Sequence, residues 1–296
     1  MYKMSEYSLV AAMLSTGLAL LVYVAYALSG IRAARLQAAD VPFRSAGVGF
    51  AVGPRTASIG RYGTILGWLA TAALTACLAF RTVATGHGPF ANMYEFAIAF
   101  AWGTLAAYMW FEHRYHQRIL GIIALAVALA LMLYATTIPS TIEPLVPALQ
   151  NNLLLTVHVA VAIVAYGSFT VAFAAAVLFL IQPETGRWGL PKPELLDEIG
   201  YRAIVVGFPF LSLVIILGAL WAEVAWGTYW SWDPKETASL VTWLIYAAYL
   251  HARIVRGWRG QRSAWLLIAG FGATLFTYFG NLFFGGLHSY AGLSQQ

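Results

Sequence analysis

The stretch Trp221–Glu236, W-A-E-V-A-W-G-T-Y-W-S-W-D-P-K-E, governs the reading of the whole chain. It holds four of the eleven tryptophans, at 221, 226, 230 and 232, with Tyr229 among them, and Asp233-Pro234-Lys235-Glu236 closes it. Its end is too polar for the middle of a transmembrane helix, and its body too aromatic for an ordinary loop. Tryptophan and tyrosine favour the membrane interface, where the ring is buried and the N–H or O–H stays wet. Five such side chains in the twelve residues from 221 to 232 exceed what an interface belt places at a helix end. The excess fits a flat aromatic platform for a large planar ligand, because indole faces offer wide π-surfaces in a water-poor setting.

Composition excludes a soluble domain. Sixty per cent of the 296 residues are hydrophobic, 10% are charged and mean hydropathy is +0.72, the profile of a polytopic α-helical membrane protein. The formal charge of +5 therefore speaks of loop placement and membrane lipid, with no nucleic acid partner implied. The one cysteine, Cys77, lies amid apolar residues and rules out an internal disulfide, a C-x-x-C redox pair or a cysteine metal cage. The first apolar segment is longer than a signal-peptide core and lacks a basic leader or an A-x-A site, so it reads as a retained span.

Eight apolar segments, 7–30, 63–83, 93–111, 119–138, 153–181, 201–224, 237–256 and 264–284, are each long enough to cross a hydrocarbon core roughly 30 Å thick. Proline, glycine and charge mark most connections, with no internal repeat, low-complexity tract or second soluble domain. The expected fold is all-α: one integral membrane domain over 1–296, a bundle of about eight transmembrane helices carrying the Trp-rich loop 221–236. Fourteen of the 17 Lys and Arg residues fall on one side, and only Lys3, Arg81 and Lys235 on the other. Cytoplasmic loops concentrate Lys and Arg, so both termini and the Trp-rich loop are expected to face outward.

With sides assigned, the six histidines sort themselves. His158 lies a short way into the fifth segment, just below the outer interface, and His288 follows the eighth segment in F-G-G-L-H-S-Y. Taken singly, a membrane histidine is more often structural. Two of them sharing a side and depth with an aromatic platform form a haem-binding arrangement, because neutral imidazoles supply axial bonds to iron while tryptophans pack the macrocycle. His251 differs, for it sits far along the seventh segment, in the inner leaflet. An ionisable residue there is a functional candidate, yet a histidine near a helix C-terminus also complements the dipole, and spacing alone leaves both readings open. His113 and His116 fall among cytoplasmic charges and read as a solvated turn. His87, in G-H-G-P, reads as a constrained outer turn, with Asn92 as cap of the third helix and Glu95 in its first turn. Glu223 either partners a ligand or an indole N–H, or marks a helix end.

The run W-G-T-Y-W-S-W-D-P-K-E-T, followed by L-V-T-W-L-I-Y-A-A-Y-L-H-A-R, resembles the WWD signature of haem-handling membrane proteins. D-P-K-E-T and the downstream Y-L-H-x-R are similar to the CcsA (ResC) family of System II cytochrome c biogenesis. G-H-G-P-F-A-N-M-Y-E-F at 86–96, L-L-L-T-V-H-V-A, L-L-D-E-I-G-Y-R-A-I-V-V-G-F-P-F at 195–210 and G-G-L-H-S-Y-A-G at 285–292 extend the resemblance over roughly residues 60–292. Two positions depart from the family pattern: Glu223, where Asn is expected, and Ala238, where Trp is expected.

The resemblance implies export of haem b and its presentation for covalent attachment to an apocytochrome c, as a component of a cytochrome c synthase. The family's external ligand pair falls on His158 and His288, and its transmembrane histidine on His251. Trp226, Trp230, Trp232 and Asp233 would form the presenting surface. It further implies a multi-pass location in the inner, plasma or thylakoid membrane with the Trp-rich loop outside. The implied partners are a CcsB (ResB)-type membrane protein, the C-x-x-C-H motif of the apocytochrome and a thioredoxin-like thiol reductant. A transporter of haem or another planar solute without attachment activity is the alternative. A b-type cytochrome is disfavoured, because no two histidines have the spacing of 13 or 14 residues typical of those bundles. A purely structural assembly subunit is disfavoured by the concentration of aromatics.

Overall fold

In a computed structural model of the protein, the apolar segments form eight α-helices and one 3-10 turn, with no strand among the described residues. The structure describes residues 1–40, 53–142, 152–182, 190–280 and 283–288, so Arg44, Arg187 and Gln296 lie outside it. The helices are α1 (Tyr2–Asp40), α2 (Pro54–Thr85), α3 (Met93–Tyr115), α4 (Gly121–Ala135), α5 (Asn152–Ile181), α6 (Pro193–Trp226), α7 (Pro234–Arg256) and α8 (Gln261–Phe279). Every expected segment has its helix. Several helices run further than hydropathy indicates: Arg55 and Arg61 ride on α2, Arg32 on α1 and Arg202 on α6. Hydropathy reports the solvent around a turn, whereas the i to i−4 hydrogen bonds continue through polar turns until a Gly or Pro ends them. Pro54 and Pro193 sit in first turns, where a missing N–H costs nothing.

Six helical stretches are long and apolar enough to cross a membrane: Tyr2–Ala33, Pro54–Thr85, Arg118–Ala135, Leu153–Ile181, Pro193–Trp226 and Pro234–Arg256. α3 and α8 fall below that mark. In α3 tryptophan, tyrosine and the terminal Glu112-His113-Arg114 dilute the aliphatics, and α8 opens on Gln261-Arg262-Ser263. Both nonetheless pack inside the bundle, since Ala97, Ile98, Leu105, Tyr108, Leu267 and Phe271 are buried.

α5 is the centre of the bundle and packs on α3, α4, α6 and α8. Its most apolar stretch is 67% buried, against 28% in α6 and α7. Two glycines let α3 and α5 cross backbone to backbone. A Cβ on Gly167 would lie 2.4 Å from the Gly103 carbonyl oxygen, and one on Gly103 would lie 2.9 Å from that of Ile163. Small residues at such crossings let helices approach where lipid gives no hydrophobic drive to associate.

Buried acids pin α3 at both ends. Glu95, 1% exposed, accepts from Arg81 Nε at 2.7 Å, and Arg81 also donates to the carbonyls of Ser140 and Thr141 at 2.7 and 3.3 Å. The Arg81 guanidinium lies 5.0 Å from the Tyr94 ring centre and 5.7 Å from that of Tyr2. At the other end Glu112 accepts hydrogen bonds from Tyr23, Tyr108 and Thr64, with Arg118 Nε at 3.6 Å. Asn92 caps α3 by accepting from the Glu95 amide at 2.9 Å, the role its sequence position leads one to expect. The up-and-down path thus gathers the starts of α1, α3, α5 and α7 and the ends of α2, α6 and α8 at one end of the bundle.

Candidate functional site: an aromatic cleft with two histidines

At that end a cleft of about 950 Å³, its open mouth included, lies between α3, α5, α6, α7 and α8. Phe96 and Phe100 of α3 form one wall, and Val214 and Gly218 of α6 another. Tyr229 and Trp230 overhang it from the loop, and Thr277 and Tyr278 approach from α8. His158 enters from α5 and His288 from the segment after α8, so two histidines remote in sequence share one cavity. Its lining is mostly apolar with a few converging polar groups, the character of a ligand site.

The imidazoles are held differently. His288 Nδ1 lies 2.9 Å from Asp233 Oδ2, and the amide of Leu287 donates to Asp233 Oδ1 at 2.6 Å. Burial opposes ionisation of Asp233, but the hydrogen bond from His288, with the amides of Lys235 and Leu287, outweighs it and holds the carboxyl below the usual carboxylate range. Burial pushes His288 below the ordinary imidazole value, and the Asp233 hydrogen bond offsets this only in part. A neutral His288 donating Nδ1–H to ionised Asp233 carries its lone pair on Nε2, the arrangement found behind metal-bound histidines. His158 packs against the α6 backbone: a Cβ on Gly218 would lie 3.0 Å from its Cε1. Its Nδ1 is buried against that backbone.

Trp221 joins the two. Its ring centre is 6.2 Å from that of His158 and 5.8 Å from that of His288, and its side chain is buried at the end of α6. Trp226 meets His288 edge-on at 4.8 Å and Trp221 at 5.1 Å. Trp230 lines the cleft itself. Trp232 stands outside the lining, 69% exposed, its ring centre 5.7 Å from that of Trp230 and its plane perpendicular to it. It has φ of 60°, a left-handed conformation rare for a bulky side chain. Glu236 holds that conformation in place, accepting from the amides of Ser231 and Asp233 at 2.8 and 3.2 Å and from the Ser231 hydroxyl at 3.2 Å. Asp233 in turn caps α7 through the Lys235 amide at 3.0 Å, completing a reciprocal capping box with Glu236.

Of the residues singled out by sequence, His158, His288, Trp226, Trp230 and Asp233 come together here, with Trp232 at the rim. His251 does not: it is exposed on α7, outside the residues lining the cleft. His87 forms a local turn, its Nδ1 2.8 Å from the Gly88 carbonyl oxygen. His113 and His116 are exposed, and His116 ends α3 in a left-handed conformation. Phe96, Gly218 and Lys235 were not legible as cleft residues, because each reaches it from a helix face that only packing defines; Trp221 was counted in the aromatic platform, but its place beside both histidines was not. Glu236 had a signal, the acid three residues after an N-cap aspartate.

The chain is similar to proteins of one family. Residues 90–288 match the family model described as cytochrome C assembly protein. The cytochrome c biogenesis protein CcsA of Guillardia theta is 37% identical, over 79% of this chain and 86% of its own length. That of Microcystis aeruginosa is 36% identical over 83% and 91%, and that of Pyropia yezoensis 34% identical over 81% and 90%. Among solved structures, cytochrome c haem lyase CcmF superposes with a TM-score of 0.57 at 20% identity, covering 91% of this chain. The chain spans about half the length of that protein, 47%, and the likeness is one of fold. With apolar helices long enough to span a bilayer, this is a multi-pass membrane protein, and it belongs to the CcsA family of cytochrome c assembly proteins.

Proposed function

We propose that the protein takes haem as its cargo in the aromatic cleft, with His158 and His288 as the two axial ligands of the iron, and presents it for attachment to an apocytochrome c. The main support is the meeting of two imidazoles from distant elements in one aromatic cavity, one oriented by Asp233 and the other set against the α6 backbone. These groups suit the cargo: neutral imidazoles ligate haem iron, and Phe96, Trp221 and Trp230 offer apolar faces to a macrocycle. Attachment adds each thiol of a C-x-x-C-H motif across a haem vinyl group, S to one carbon and H to the other, so it consumes no oxidant. The thiols come from the apocytochrome, since Cys77 is buried within α2. A thioredoxin-like reductant would keep them reduced.

The names of the relatives support cytochrome c biogenesis as the setting, and haem b as the cargo follows from the vinyl chemistry. The basic-residue asymmetry supports an extracytoplasmic or thylakoid-lumenal Trp-rich loop, with both termini on that side and eight crossings in all. His251 is our candidate ligand for haem uptake from the inner leaflet. It stands exposed in a stripe with Val241, Leu244, Ala248 and Val255, spaced every three or four residues along one face of α7. Such a face suits a helix of a CcsB (ResB)-type partner that would bring a second histidine.

The test is the absorption spectrum of the purified protein. A bis-imidazole Soret and α band is expected, weakened or shifted in H158A and in H288A, and partly restored by added imidazole, which fills a vacant axial position. Unchanged spectra in both variants would mean that iron is held elsewhere. Haem content of the isolated chain and of its complex with the partner, each with and without H251Q, tests the uptake site. Full loading of the His251-less complex would remove it.

A further inference from the structure

Lys235 is the residue of D-P-K-E that the preceding reading leaves without a task. Its side chain turns into the cleft, where its Nζ lies 5.7 Å from the centre of the Phe96 ring. No carboxylate comes within ion-pair distance of it among the described residues. Both acids beside it in sequence are committed elsewhere. Asp233 is taken up by His288, Leu287 and the backbone amide of Lys235 itself, and Glu236 by Ser231 and Asp233. A lysine in the first turn of a helix also sits at the positive end of the dipole, which disfavours it. A cation held in a largely apolar cleft against its own helix dipole, over a ring face and with no ion-pair partner among the described residues, is poised for an anion that arrives with the ligand.

We propose that Lys235 binds a carboxylate of the macrocycle, so that the cleft selects a porphyrin carrying free propionates over a neutral one and fixes which edge enters first. This rests on the haem-binding reading above and deepens it. The imidazoles fix the iron but leave the macrocycle free to rotate about the axial bonds. A cation on one wall, at the start of α7, removes that freedom. The propionate edge is then drawn to α7, and the vinyl-bearing remainder of the ring is turned away from it.

The experiment compares hemin with hemin dimethyl ester, which differs only in the two carboxyls, by absorbance titration of the detergent-solubilised protein. Wild type is expected to bind the diacid roughly tenfold more tightly, the worth of one charge-assisted contact. In K235M and K235Q the two ligands should bind within about twofold of each other, through loss of hemin affinity alone, and K235R should restore the preference. Equal affinities in wild type, or a preference that survives in K235Q, would overturn the proposal. If neither porphyrin binds wild type, the haem-binding reading itself fails, a result distinct from binding without preference.

Discussion

Asp233 shows how much one side chain does at this site. It caps α7, anchors the Leu287 amide and orients His288, so one carboxylate ties a helix start to a histidine fifty-five residues further on. Partners behind a metal-bound histidine set its tautomer and ring angle, and their loss typically weakens metal binding 10- to 100-fold. D233N keeps the shape but loses the charge that holds Nδ1–H. We expect its hemin affinity to fall by roughly 10- to 100-fold, with α7 intact, since asparagine is an equally good cap. Hemin titration alongside circular dichroism checks this, and an affinity within twofold of wild type would show that His288 needs no orienting partner.

The element that matters most is the turn between α6 and α7. Gly227 ends α6 in a left-handed conformation, its amide donating to the Glu223 carbonyl, so Glu223 marks a helix end. From there to Asp233 the loop hangs on Glu236, which gathers three donors. Its carboxylate offsets the cost of Trp232 at positive φ, of order 1–3 kcal/mol for a non-glycine residue in so sparse a region. E236A leaves those donors to water and is expected to loosen residues 228–233 by about 0.5–1.5 kcal/mol. Hydrogen exchange of that segment should quicken while α5 keeps its protection. Unaltered exchange there would mean that the aromatic contacts alone hold the loop.

At the scale of the molecule, the cleft depends on how α3 is set against α2 and α5. The Arg81–Glu95 pair is buried at the same end as the cleft: Glu95 immediately precedes Phe96, and Arg81 lies in the last turns of α2, before the turn carrying His87. Removing one member of a buried pair strands the other, at about 3–5 kcal/mol, whereas removing both charges costs far less. R81M is therefore expected to lower the unfolding midpoint in detergent sharply, and R81M/E95Q to recover much of the loss. Thermal melts of the two variants decide it: a double variant no better than R81M would locate the loss in the Ser140 and Thr141 carbonyls that Arg81 also holds.

The all-α architecture, the order of the helices and the membrane character of the chain were legible in the sequence, because apolar length, Gly and Pro punctuation and N-cap residues act within a few positions of one another. Asn92, Asp233 and the W-x-W-D-P-K-E run are local signals of that kind, and the motifs carrying the CcsA resemblance lie within continuous stretches. The meeting of His158 with His288, the place of Trp221 touching both, the close crossing at Gly103 and Gly167 and the turn of Lys235 into the cleft were decided by tertiary structure alone. In each, which face of one helix meets which face of another settles the outcome, and that depends on side-chain volumes summed over the whole bundle. Trp232 marks the boundary between the two. Its membership of the aromatic run was plain from the sequence, yet it turns outward, because the hydrogen bonds to Glu236 set the loop's path and Trp230 already occupies the inner side.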